Sequence, residues 1–270
     1  MTAEITSRKN ELVRQYMNFS SSSRKRREEH CFSVEGARLC ADAATSGLKI
    51  RMLLVTKEAE EKYGVYLHSI RESCRMEYKI SDSVAKYLSK TKSPQGIFCI
   101  CSMPTEKGKF PAVTTGSCLT VLENIQDPAN LGAVLRTAEA LGINGVLLGG
   151  SCCDIYSPKV LRSSMGAVFR LPIFVFPDTS EAINHLNDLG FQTFAAVPDA
   201  AAEPVTAVCF SGEPSAVAIG NEGNGLTEKT KRACGHRVTI PMRGRAESLN
   251  AAASAAILMW EMTRRDDCPE

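Results

Sequence analysis

The chain has 270 residues, 44% of them hydrophobic, and a formal net charge of only +2. That is a globular composition with room for two domains, and it excludes a histone-like polycation, so any nucleic acid must be met by local basic patches. Eleven cysteines without a CxxC pair, and four histidines of which only His30 adjoins a cysteine, argue against a disulfide framework or zinc and for reduced thiols in the cytoplasm. The same Cys and His spacing leaves no metal expected, and no membrane is expected either, since "MTAEITSRKNE" has no apolar signal-peptide core and "AAASAAILMW" is too short to span a bilayer.

In chain order, "FSVEGARLCADAATSG" reads as a short strand entering a helix that Gly47 stops. "IRMLLVT" reads as a strand, "SDSVAKYLSKT" as a helix capped by Ser81 or Asp82, and "GIFCIC" as a closing strand. The composition breaks at 102–117, where Pro, Gly, Thr and Lys replace the apolar run. The expected organisation is an N-terminal basic segment and small α/β domain over 1–104, a linker at 105–117, and a second domain over 118–270. In the latter, apolar runs at "CLTVLE", "NGVLLGG", "PIFVF", "FQTFAA", "SAVAIG" and "RVTIPM" alternate with helices beginning near Asn130, Ser157, Thr179, Leu226 and Ser248. This alternation predicts a parallel sheet covered on both faces, with ligands bound at the carboxyl ends of its strands.

Three loops after strands carry polar residues that turns alone do not explain. In "DPANLGAVLRTAEALG", Leu131, Val134, Leu135, Ala138 and Leu141 share the buried helix face. Asn130 is a plausible cap, and Arg136 points away from the face. A solvated Arg136 paired with Glu139 would be the plain reading, but Gly132, Ala133 and Ala140 leave clearance for a ligand or another chain. In "AIGNEGNGLTE", Gly220, Asn221, Gly223, Asn224 and Gly225 tolerate positive φ, so backbone N–H groups can turn inward. The stretch is not a nucleotide-triphosphate loop: Leu226 replaces the lysine, and Glu222 would repel phosphates. In "IPMRGRAESLNAAASAAILMWEMTRR", Ser248 is a natural helix cap and Asn250 a poor residue one step inside. No G-x-G-x-x-G follows any strand, which argues against a hydride-transfer enzyme.

Together, "DPANLGAVLRTA", "IGNEGNGL" and "IPMRGRAESLNAAASAAI" resemble the three signature motifs of the SpoU/TrmH family of RNA ribose 2'-O-methyltransferases, in the SPOUT superfamily. The resemblance covers about 118 to 265. "FSVEGARLCADAATSG" and "KTKSPQGI" are similar to the L30e-like substrate-binding domain often joined to it. The resemblance implies a SPOUT parallel sheet with a C-terminal deep trefoil knot, preceded by a small L30e-like α/β domain. It further implies a homodimer with its active site near the subunit interface, and S-adenosyl-L-methionine held around Gly220, Ile240, Met242 and Leu249. The residues matching the family's catalytic polar set are Asn130, Arg136, Glu222, Ser248 and Asn250. The third motif departs from the family in having Ala251 and Ala252 after "SLN", where Val-Ser or Val-Ala is common.

The implied reaction is 2'-O-methylation of a ribose in structured RNA, with 23S ribosomal RNA favoured. The alternatives are a tRNA methyltransferase and a non-catalytic RNA-binding member of the fold. The resemblance implies either a general base or an electrostatic stabiliser at Arg136; because a guanidinium stays protonated, the preferred reading is a phosphate ligand and stabiliser of alkoxide charge, held by Asn130 and Glu222. RNA contact is expected from Arg24, Lys25, Arg26, Arg27, Lys90 and Lys92, although Glu28 and Glu29 partly cancel the first cluster.

Overall fold

The computed structural model describes residues 4–104, 114, 116–210 and 212–264. Its elements run α1 (Glu11–Ser21), α2 (Ser23–Glu29), β1 (Cys31–Glu35), α3 (Ala37–Thr45), β2 (Ile50–Val55), α4 (Lys57–Lys62), α5 (Gly64–Glu72), β3 (Glu77–Lys79), α6 (Asp82–Leu88) and β4 (Ile97–Ser102). They continue with β5 (Cys118–Glu123), α7 (Pro128–Ala140), β6 (Gly145–Gly149), α8 (Pro158–Ser163), β7 (Ile173–Phe176), α9 (Thr179–Asp188) and β8 (Gln192–Ala196). The last are β9 (Glu203–Pro204), β10 (Ser215–Ile219), α10 (Glu228–Ala233), β11 (His236–Thr239) and α11 (Ala251–Thr263). Two compact units result: Met1–Thr105 with Asp154–Arg170, and Glu106–Cys153 with Leu171–Glu270. The expected linker at 105–117 lies outside the described residues except for Thr114, Gly116 and Ser117.

The first unit is built on a sheet of order β1-β4-β2-β3, antiparallel except for the β2–β3 pair. Apolar residues of α1 and α6 (Val13, Tyr16, Phe19, Val84 and Leu88) bury against Met52, Leu54, Phe98 and Ile100 of the sheet. Ser81 is the cap of α6, its side chain accepting from the Val84 amide. The segment Asp154–Arg170, which the sequence reading grouped with 118–270, belongs to this unit: Tyr156 stacks on Phe32 at 4.5 Å, and Phe169 lies 6.1 Å from the same ring.

The same segment corrects the expectation for Arg26. This residue is 3% exposed; its Nη2 lies 2.7 Å from Asp154 Oδ2, and its Nη1 donates to the Phe19 carbonyl. Sequence could not show this, because the partner is 128 positions away. A guanidinium so occupied holds the fold and cannot reach RNA. Arg26→Ala would leave the Asp154 carboxylate without its cation, and a loss of about 3 kcal/mol is expected by denaturant unfolding. A loss below about 1 kcal/mol would mean that the pair is as weak as a surface bridge.

The second unit carries a sheet of order β7-β6-β5-β10-β8-β11-β9, with every pair parallel. Every residue of β5, β6 and β10 is buried, the pattern of strands covered on both faces. Of the face the periodicity predicts, Leu131, Val134, Leu135 and Ala138 are buried, whereas Leu141 is the C-cap of α7 and only half-buried, and Gly142 at φ +73 follows it. Nine of the described cysteines are free thiols. No helix of the described residues is long and apolar enough to cross a membrane.

Candidate active site

Because the strands of the second unit all run the same way, their carboxyl ends share one edge. A cavity of about 290 Å³ opens there, lined by the residues after β8, β10 and β11 and by the start of α11. Its volume is near the lower end of small-molecule sites, which span roughly 300–1,000 Å³. Gly220, Ile240, Met242 and Leu249, the four positions implied to hold a methyl donor, all line it, as do Glu222 and Ser248. Ala196, the last residue of the strand predicted at "FQTFAA", also lines it, as do Val197 and Pro198 just beyond, none of which the sequence marks as a site residue.

Gly220 has a steric reason to be glycine. A Cβ there would lie 2.1 Å from the carbonyl carbon of Gly225 and 2.2 Å from the Leu226 nitrogen. The loop folds back this tightly because Asn221 and Gly225 exchange both backbone hydrogen bonds, at 3.1 and 3.0 Å, with Gly225 at φ +66. The Asn221 Oδ1 accepts from the amides of Gly223 and Asn224 at 2.9 and 3.1 Å. Those N–H groups, expected from sequence to turn inward, are thus committed to Asn221. The loop is closed on itself by these bonds, and the two amides are not offered to the cavity.

Two capping expectations are corrected. The N-cap of α7 is Asp127, whose side chain accepts from Ala129 with Pro128 in the first turn; Asn130 lies inside the helix. Asn250, not Ser248, caps α11, its Oδ1 accepting from the amides of Ala252 and Ala253 at 2.9 and 3.3 Å. Asn130, free of a capping role, and Asn250, through the amide nitrogen that capping leaves over, join one network. Since the Asn250 oxygen is fixed on the helix amides, its Nδ2 must face outward, and it donates to Asn130 Oδ1 at 3.1 Å. Asn130 Nδ2 then donates to Glu222 Oε1 at 2.9 Å, while Glu222 Oε2 accepts from Asn221 at 3.3 Å. Two amides are oriented in series by one helix terminus, and the chain ends on a carboxylate at the cavity rim.

Arg136 is not in this network. It is exposed and makes no hydrogen bond or ion pair with any described residue, so Asn130 and Glu222 do not hold it within one chain, contrary to expectation. Helix geometry gives the reason: six residues place Arg136 about 120° around the axis and about 9 Å along it from Asn130. Of the basic residues of the first unit, Arg24 and Lys25 are exposed and both pair with Glu28, at 2.6 and 3.1 Å. Arg24 first, then Lys25, holds the Glu28 carboxyl below its ordinary range. Arg27 is exposed. Lys90 and Lys92 are exposed on a loop that Glu35 fixes by accepting from Ser89, the Lys90 amide and Thr91.

A sequence model described as the SpoU rRNA Methylase family matches residues 117–260, the whole span of this network and cavity. The chain belongs to the SpoU rRNA methylase family. A second model, described as the MRM3-like substrate binding domain, matches residues 10–99 of this SpoU methylase. An uncharacterized tRNA/rRNA methyltransferase of Synechocystis is 31% identical, over 97% of this chain and 94% of its own length. The 23S rRNA (guanosine(2553)-2'-O)-methyltransferase RlmP of Bacillus subtilis is 29% identical, over 96% and 98%. Among solved structures, an AdoMet-bound rRNA methyltransferase from Sinorhizobium meliloti aligns with a TM-score of 0.84 at 27% identity, covering 96% of this SpoU methylase and 97% of that chain.

Proposed function

We propose that the chain transfers a methyl group from S-adenosylmethionine to a ribose 2'-hydroxyl of structured RNA, ribosomal RNA in preference to tRNA. The observation that carries the reading is the Asn250–Asn130–Glu222 series at the rim of the strand-end cavity, in a chain of the SpoU family. The residues fit the donor: Gly220 lets the backbone approach closely, Ile240, Met242 and Leu249 offer apolar surface, and Ser248 and Glu222 supply polar groups. When bound, the donor supplies an electrophilic methyl on a sulfonium, so the protein's task is alignment and charge control. Glu222, fixed by Asn130, orients the ribose. Arg136 binds the adjacent phosphate and stabilises alkoxide charge as the hydroxyl gives up its proton to solvent water. Ser248 and Asn250 complete the positioning.

Arg136 reaches the site from a second copy. In support, it is exposed on α7, which packs on α11, and α11 carries Ile257 and Trp260 at 37% and 57% exposure. On this reading a homodimer interface runs along α7 and α11. The C-terminal segment is read as the trefoil knot of SPOUT enzymes and the first unit as an L30e-like RNA-binding domain, in a cytoplasmic enzyme that needs no metal. The 23S preference rests on relatives such as RlmP, named for that substrate.

The test is incubation with labelled S-adenosylmethionine and separate pools of unmodified ribosomal RNA and tRNA. Label is expected in ribosomal RNA, and label in tRNA alone would overturn the substrate preference. Glu222→Gln places an amide donor against that of Asn221 or Asn130, and turnover should fall about tenfold or more; unchanged turnover removes Glu222 from the site. Phosphate contact by the first unit predicts steep salt dependence of RNA binding. Neutralising Lys90 and Lys92 should lower the slope of log K against log salt by about one for each lysine, and an unaltered slope assigns the contact elsewhere.

A further inference from the structure

Glu123 ends β5, between β6 and β10 in the second sheet, and is only 4% exposed. A carboxylate so deep in a sheet is tolerated only where hydrogen bonds replace its water. Here they come from one short stretch. The Thr227 amide donates to Oε2 at 2.7 Å, and the hydroxyls of Thr227 and Thr230 donate to Oε1 at 3.1 and 2.6 Å. Thr227 is the residue immediately after the 220–226 loop that forms the cavity rim, and it caps α10.

The neighbouring residue holds the other end of the same loop. Asn124, at φ +57, accepts from Asn221 Nδ2 on its carbonyl at 2.9 Å, and its own Oδ1 accepts from the Ser151 amide at 2.7 Å. A Cβ on Gly150 would lie 2.3 Å from that oxygen, so no other residue type leaves the arrangement undisturbed. Both stems of the loop, Asn221 and Thr227, are therefore tied to two consecutive residues at the end of β5. For stability alone an apolar side chain would serve at least as well as a buried carboxylate. What the carboxylate adds is a fixed position for the amide and hydroxyl of Thr227.

We infer that Glu123 is a positioning residue for methyl-donor binding: through Thr227 and Thr230 it sets the stem of the loop on which Gly220 and Glu222 stand. The inference rests on the assignment of the cavity to the donor. The experiment measures the dissociation constant for S-adenosylmethionine by calorimetry, and KM and kcat by methyl transfer, in four variants. Glu123→Gln should raise donor Kd and KM about tenfold, with kcat at saturating donor within about threefold of the parent. Glu123→Asp, which keeps the charge, should recover part of the loss. Val146→Ala makes a cavity on β6, away from the residues that line the site, and should lower Tm without moving donor Kd. Leu249→Arg fills the cavity and should abolish binding.

Wild-type Kd in Glu123→Gln overturns the inference, as does an equal rise in Val146→Ala at matched loss of Tm. If Glu123→Gln fails to fold, Thr230→Val removes one donor to the carboxylate at a fully buried position, and an unmoved donor Kd there overturns the inference instead. Unimpaired binding in Leu249→Arg would reject the cavity assignment itself, whereas loss there with none in Glu123→Gln rejects only the role of Glu123.

Discussion

Arg136→Ala is expected to lower methyl transfer by about 10²–10³-fold, the usual cost of removing a preorganised donor to developing negative charge. Donor affinity should be unchanged, because Arg136 does not line the cavity. Arg136→Lys should recover little of the loss, since a point charge cannot reproduce the guanidinium fork on a phosphate. The mixed-subunit experiment is more informative. If the arginine acts in the site of a second copy, a heterodimer of Arg136→Ala with Glu222→Gln contains one intact site, and random mixing should recover about a quarter of wild-type activity. If the arginine serves its own chain, every site in the mixture is defective and nothing is recovered. Recovery thus tests the dimer and the arginine's role at once, and its absence removes the placement of Arg136 across an interface.

Gly220→Ala is the second large effect. The added methyl would meet backbone atoms of Gly225 and Leu226 at 2.1 and 2.2 Å, where no side chain can swing aside. The loop must open, at a cost of about 1–3 kcal/mol. Opening also moves Glu222 away from Asn130 and widens the cavity mouth. The expected result is a donor dissociation constant raised at least about tenfold with a modest fall in Tm. Gly142→Ala, also strained at φ +73 but with open space around its Cβ and no place in the cavity lining, is the control that should lower Tm alone. Equal donor affinities in the two variants would show that the tight turn at Gly220 serves folding and not the donor.

These outcomes depend on features the sequence shows unevenly. The second sheet was legible because β5, β6 and β10 are buried on both faces and so appear as unbroken apolar runs, and the buried face of α7 because its period is unmistakable. What sequence misread were local hydrogen bonds. Ser248 and Asn250 are both good caps by composition, and only the chain path decides that Asn250 takes the amides of Ala252 and Ala253. The neighbouring "NAAA" stretch gave no warning that the capping asparagine also reaches Asn130, 120 positions away. Arg26 looked like part of a basic cluster because its partner, Asp154, is remote in sequence and reaches it only through the fold. Glu123 was read as the end of a strand; that its carboxylate is buried follows from the arrival of Thr227 and Thr230, which no spacing within β5 encodes.

The central claim is that the methyl acceptor is a ribose 2'-oxygen, and the chemistry of RNA provides a direct readout. Alkaline cleavage uses the 2'-hydroxyl as nucleophile, so a 2'-O-methylated residue protects its own 3'-phosphodiester. Product RNA labelled from S-adenosylmethionine should be hydrolysed in alkali and its fragments separated by charge. The account predicts label in alkali-resistant dinucleotides, reduced there by about 10²–10³-fold with Arg136→Ala. Label in mononucleotides would mean that the base is methylated, and would contradict it.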